Sequence, residues 1–162
     1  MLNTRLDLSV HVRKESIGLL QQALSTALDL EAQLKQAHWN VKGATFFQLH
    51  ELFDKAHSVV EEIVDTVAER ITALGGVADG RVQTTVKATA LNEYPLNARR
   101  GEDHLKLIAS ALAEFAKYLR TAIDRAAGFG DAGTSDVFTQ ISREVDKQLW
   151  FVEAHLYNGV DG

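Results

Sequence analysis

Along four stretches of the chain, apolar residues recur at spacings of three and four, the period of a helix buried on one side. The first stretch runs from about Glu15 to Trp39, with Leu20, Leu24, Ala27, Leu28 and Leu34 in phase, and Gly43 closes it. The second carries Leu49, Leu52, Phe53, Ala56, Val60, Ile63, Val67, Ile71 and Leu74 in one stripe. Its head, Thr45-Phe46-Phe47-Gln48, has the spacing of a capping box, in which Thr45 and Gln48 would satisfy each other's free amides. Gly75-Gly76 at its end supplies a left-handed stop. The third stretch spans about Asn97 to Ala127 and stops at Gly128. The fourth starts at Thr134 or Ser135 and ends at Asn158-Gly159.

The connections differ in length. The first and last are short, whereas Val77 to Leu96 separate the second helix from the third, with room for a short helix over Arg81 to Thr89. One long crossover between two short turns is the connectivity of a ferritin-like bundle, not of an up-down-up-down one. The expected fold is therefore an all-α, ferritin-like four-helix bundle over residues 15–159. Residues 1–14 are expected as an N-terminal tail and 160–162 as a C-terminal end.

Composition narrows this further. A chain of 162 residues, 46% of them hydrophobic, makes one domain with a real core. The absence of cysteine removes disulfides, thiolate metal sites and cysteine nucleophiles. A net charge of −5 argues against a bulk-basic nucleic-acid binder. No apolar run approaches the roughly 18 residues that a membrane span needs. The start, MLNTRLDLSVHVRKES, has no hydrophobic core of a secretory signal, so the cytoplasm is the expected compartment.

The candidate chemistry lies on the second helix. At about 100° per residue, His50, Asp54, Asp65 and Glu69 share a face roughly 140° from the apolar stripe, pointing away from the chain's own core. His50 and Asp54 are one turn apart, as are Asp65 and Glu69. The two pairs stand about 16 Å apart along the axis, too far for one small site. Two copies crossing antiparallel about a two-fold axis near Val59 would bring His50 and Asp54 of one onto Asp65 and Glu69 of the other, making two equivalent sites. Imidazole with carboxylate suits iron, manganese or zinc. Polar residues one turn apart on an exposed face are more often simply solvated, and the recurrence of two such pairs on one face strengthens the metal reading. No glutamate is followed three residues later by histidine, which argues against a di-iron site inside the bundle.

The segments His38-Trp39-Asn40-Val41-Lys42-Gly43, Leu49-His50-Glu51-Leu52-Phe53-Asp54 and Asp65-Thr66-Val67-Ala68-Glu69-Arg70, with Leu74-Gly75-Gly76, closely resemble Dps, the bacterial miniferritins. The resemblance continues through Glu93-Tyr94-Pro95 and Asp146-Lys147-Gln148-Leu149-Trp150-Phe151-Val152-Glu153. It implies a hollow shell of twelve identical subunits that oxidises Fe(II) with hydrogen peroxide, or more slowly dioxygen, and stores Fe(III) mineral. It places the ferroxidase centre at the two-fold interface, with His38, His50 and Asp54 from one subunit and Asp65 and Glu69 from its neighbour. His38 enters the set through the resemblance alone. Iron is the implied metal, and zinc could take the same ligands.

Other residues carry less. Lys35, one turn before Trp39, could pair with a ligand carboxylate, and Trp39 could quench radicals or anchor an interface. Asp131 and Asp136, beside the fourth helix, would by resemblance line an acidic pore; Asp136 fits better, and could equally serve the helix dipole. His57 and Glu61 share the metal-facing side and are expected as ordinary interface residues. His11, His104 and His155 read as surface or packing residues. Some relatives bind DNA through a basic tail, which makes a DNA-compacting, nucleoid-associated protein the alternative function. Here only Arg5, Arg13 and Lys14 oppose Asp7, and counterion release needs many more cations.

Overall fold

The computed structural model describes residues 1–157. Among them the chain forms α1 (Val10–Asn40), α2 (Phe46–Ala73), a short α3 (Val82–Ala88), α4 (Gly101–Gly128) and α5 (Ala132–Ala154). The four long helices make the expected all-α bundle, and α3 falls inside the long connection. The predicted close of the last helix at Asn158-Gly159 lies outside the described residues.

The pairing of the helices explains the long connection. α1 and α2 are antiparallel neighbours: Lys35 meets Asp54 and His38 meets His50. α4 and α5 are likewise antiparallel, with Arg120 bonded to Asp146 and Ser135 to the Ile123 carbonyl. Tyr118 on α4 donates to the Leu19 carbonyl on α1, while Arg70 on α2 reaches Thr134 on α5. α2 and α4 therefore run in the same direction, and the chain must travel the length of the bundle between them. Glutamines of α1 hold that crossover by its backbone. Gln21 bonds Asp79, Gln22 donates to the Ala88 carbonyl and Gln33 to the Asn92 carbonyl. Each such bond satisfies a peptide group that would otherwise be left half-buried without a partner.

The boundaries depart from the sequence reading in instructive places. Ser9 caps α1, its hydroxyl accepting from the Val12 amide, so the helix begins at Val10 and residues 10–14 of the expected tail are helical. Arg13 is buried and donates to the Leu2 and Leu74 carbonyls, which removes it from any basic arm. The Thr45–Gln48 capping box does not form. Thr45 adopts φ −98° and ψ 18° instead of the extended backbone of a cap, and its side chain makes no capping bond. The box lies instead at Arg100–Asp103, where the Asp103 carboxylate accepts from the Arg100 amide, and α4 starts at Gly101 rather than near Asn97. A Cβ at Gly101 would press on the tip of the Leu49 side chain, which would have to shift to admit it. The Gly75-Gly76 stop is present. Gly75 has φ +84°, and the Gly75 and Gly76 amides close on the Thr72 and Ile71 carbonyls, the double bond pattern of a Schellman end.

The core is continuous along the bundle, with Phe53, Phe115 and Phe138 among its largest fully buried side chains. Phe115→Ala should destabilise the fold by about 3–5 kcal/mol. Denaturant unfolding of the purified protein checks this, and a loss under about 1 kcal/mol would mean the core collapses around the cavity.

Candidate metal centre

The polar face of α2 splits into two environments. Asp65 and Glu69 are exposed on the outer surface. His50 and Asp54 are half-buried, because α1 covers that flank of α2. Every third or fourth residue of α1 answers one on α2, in rungs about a turn apart.

The top rung joins His38 and His50. Their rings stack with centroids 3.6 Å apart and planes within 20°. His38 Nδ1 lies 2.8 Å from the His50 carbonyl oxygen, and His50 Nδ1 lies 2.9 Å from the His38 carbonyl oxygen. A carbonyl only accepts, so each Nδ1 carries the hydrogen. In the neutral rings each Nε2 then keeps a lone pair. This is the second-sphere bond that fixes a metal-binding imidazole.

On the next rung Lys35 donates to Asp54. That hydrogen bond, assisted by the ammonium charge, holds the Asp54 carboxyl below its ordinary range. Asp54 also stands 3.9 Å from His38 Nδ1. Lys35 thus touches a candidate ligand directly, whereas Trp39 is 67% exposed beside His38. The chain brings His38, His50 and Asp54 to one end of the groove. It leaves Asp65 and Glu69 three to five turns along α2. Among the described residues no three His, Asp or Glu side chains stand close enough to hold a metal ion. The candidate ligands thus stand in two separate groups on each chain.

Among the described residues the bundle interior offers no rival group. Its buried histidine, His104, has Nδ1 2.6 Å from the Tyr94 hydroxyl, and burial pushes its pKa down, as suits a neutral packing residue. His11 and His155 are exposed.

The sequence matches the family described as Ferritin-like domain over residues 17–159. A DNA protection during starvation protein of Agrobacterium fabrum is 40% identical over 153 residues, 94% of each chain. DpsC from Streptomyces coelicolor superposes with a TM-score of 0.94 at 31% identity, covering 98% of this chain and 92% of that one. Dps from Microbacterium arborescens, described as the high iron form, superposes with a TM-score of 0.85 at 35% identity, over 91% and 96% of the two chains. The chain belongs to the Dps branch of the ferritin-like family.

In this Dps-family chain the helix end that carries the Asp65–Glu69 pair is anchored by the next residue, Arg70. Its guanidinium donates to Asp131 at 2.9 Å and to the Thr134 hydroxyl at 3.0 Å, clamping the end of α2 to the start of α5. Asp131 is 1% exposed and also accepts from the Thr134 amide and hydroxyl. This corrects the pore expectation for Asp131: its carboxylate is turned inward as a helix cap and an ion-pair partner. Asp136 remains exposed on the first turns of α5. The Arg70 clamp is invisible in the sequence, since its partners lie more than sixty residues away. Lys35 had a signal, because positions 35 and 38 recur at helical spacing on α1.

Two expected outcomes follow from these contacts. Replacing Lys35 by methionine removes the main cause of the Asp54 shift, so the Asp54 carboxyl should titrate at higher pH, read by carboxyl-carbon NMR. An unchanged midpoint would show that Lys35 does not hold it. Burial works against the Asp131 charge, but bonds from Thr134 and the Arg70 charge outweigh it and keep the carboxyl low. A depressed pKa contributes stability that is complete above the unfolded value of about 3.9 and fades as pH falls through the folded one. Asp131→Asn should therefore lower the melting temperature at pH 7 and shrink the loss between pH 5 and 3, measured by calorimetry.

Proposed function

We propose that the chain is a subunit of a shell of identical copies that oxidises Fe(II) at sites shared between two subunits and stores the Fe(III) product. The observation that carries this reading is the division of ligands within one chain. His38, His50 and Asp54 gather on the α1–α2 groove, while Asp65 and Glu69 sit exposed further along the same rigid helix. In an antiparallel crossing near Val59, His50 falls level with Glu69 of the second copy and Asp54 with Asp65. Both halves are completed at once by an isologous contact, which two-fold symmetry supplies twice. The resemblance to twelve-subunit miniferritins supports a dodecamer, with hydrogen peroxide or dioxygen as the oxidant.

The residues then divide the work. His38, with Asp65 and Glu69 of the second copy, offers one imidazole and two carboxylates, a set that suits Fe(II) and favours the more highly charged Fe(III). His50 and Asp54 offer a second, weaker position, since Lys35 already neutralises Asp54. Two Fe(II) ions each give one electron to a hydrogen peroxide molecule, its O–O bond breaks, and two protons complete two waters. Paired one-electron donors thereby avoid releasing hydroxyl radical. Trp39, exposed beside His38, is placed to intercept any that forms. Asp136 contributes negative potential where cations would enter.

The name of the Agrobacterium relative refers to DNA protection. Removing Fe(II) and peroxide together protects DNA without contact. With Arg13 buried, direct binding is left with Arg5 and Lys14 as the basic residues of the amino-terminal segment. No helix of the described residues is long and apolar enough to cross a membrane.

The double variant Asp65→Ala, Glu69→Ala tests the site. It should elute as a shell of unchanged size and oxidise Fe(II) after peroxide addition at least about tenfold more slowly, followed by Fe(III) absorbance. Wild-type rates in that variant would refute the shared centre.

A further inference from the structure

The groove between α1 and α2 has a third rung, which the proposed ferroxidase centre does not use. Glu31 Oε1 lies 3.3 Å from His57 Nε2, one turn beyond the Lys35–Asp54 pair. The side chains are 26% and 15% exposed, so both are largely withdrawn from solvent yet reachable. The other two rungs are closed by hydrogen bonds. This one is not: the two atoms are near each other without the alignment of a hydrogen bond. An imidazole nitrogen and a carboxylate oxygen at that distance need a positive centre between them, either a proton on Nε2 or a bound cation. Ligand atoms bound at about 2.0–2.1 Å around a tetrahedral metal stand about 3.3 Å apart, which is the separation seen. Glu61 follows His57 by one turn on the same face and is exposed; as the side chains stand it does not reach the pair, and it would join Glu31 and His57 by turning its carboxylate inward.

The geometry points to an accessory divalent-cation site formed by Glu31, His57 and Glu61, separate from the five-ligand centre. Its donor set, one imidazole and two carboxylates on two helices, selects Fe(II), Zn(II) or Mn(II) over calcium and copper(I). The site needs no residue from a second copy. It lies two turns along α2 from His50, about 10 Å, on the side that faces the proposed two-fold axis. A cation held there would be stored beside the oxidation centre, between the two that the axis relates. This inference goes beyond iron oxidation and does not require it.

Zinc binding to the purified, chelator-stripped full-length protein tests the site, with zinc sulfate as the probe. Calorimetric titration should show one fewer zinc equivalent per chain in His57→Gln than in wild type, with the same loss in Glu31→Gln. A zinc count unchanged by both substitutions would overturn the proposal. Zinc-soaked wild-type crystals give a reading that no substitution can disturb. An anomalous peak at bonding distance from His57 Nε2 and Glu31 is expected, and a blank map there would overturn the proposal. Asp65→Ala with Glu69→Ala should keep the zinc at His57. Normal iron oxidation by that variant would count against the shared centre alone, and loss of its His57 zinc would count against the accessory site alone.

Discussion

A straight helix cannot fold its own residues back on one another, and α2 carries four of the candidate ligands on such a rod. Its apolar stripe is committed to the bundle core, where Phe53, Val60 and Val67 are fully buried. The polar face is consequently fixed in the opposite direction. Rotating α2 to bury Asp65 and Glu69 would expose that stripe, losing roughly 1.5–3 kcal/mol for each large apolar side chain. The two pairs are thus held outward and apart by the same burial that stabilises the fold. In the proposed centre, dependence on a second copy follows from core packing, before any interface contact is considered.

α1 supplies what α2 lacks. Packed antiparallel, it lines one flank of the polar face and turns solvated residues into an ordered groove. Stacking with crossed Nδ1-to-carbonyl bonds sets both imidazoles with the ring nitrogen that can bind a metal left free. Lys35 sets the charge of Asp54. These contacts are made inside one chain, so half of the proposed centre is preorganised before assembly, and less ordering is left for the metal to impose. The other half is steadied from the far side, where Arg70 ties α2 to Asp131 and Thr134 at the start of α5.

Periodicity identified the four long helices because each buries a continuous stripe, and a stripe at helical spacing has few other causes. The crossover was legible from its length alone, and its reason is geometric: α2 and α4 run in the same direction. Ends were less legible. Thr45 and Gln48 have the residue types of a capping box, but the turn after Gly43 sets a backbone at Thr45 that cannot cap. Ser9 and Asp131 cap instead. Which polar residue caps depends on local dihedrals, and those depend on how the neighbouring helix approaches, as Leu49 against Gly101 shows.

What the sequence by itself determined is whatever repeats with the helical period. That includes the all-α bundle, the outward face of α2, and the pairing of His50 with Asp54 and Asp65 with Glu69. Intervals along one rigid rod convert directly into angles and heights. Only the tertiary structure decided which residues of α1 meet that face. Lys35 on Asp54, His38 stacked on His50 and Glu31 beside His57 depend on the register between two helices. So do the inward turn of Asp131 toward Arg70 and the burial of Arg13 against Leu2 and Leu74. Register is set by how whole stripes of side chains interlock, a property of the packed pair that no interval within one helix contains.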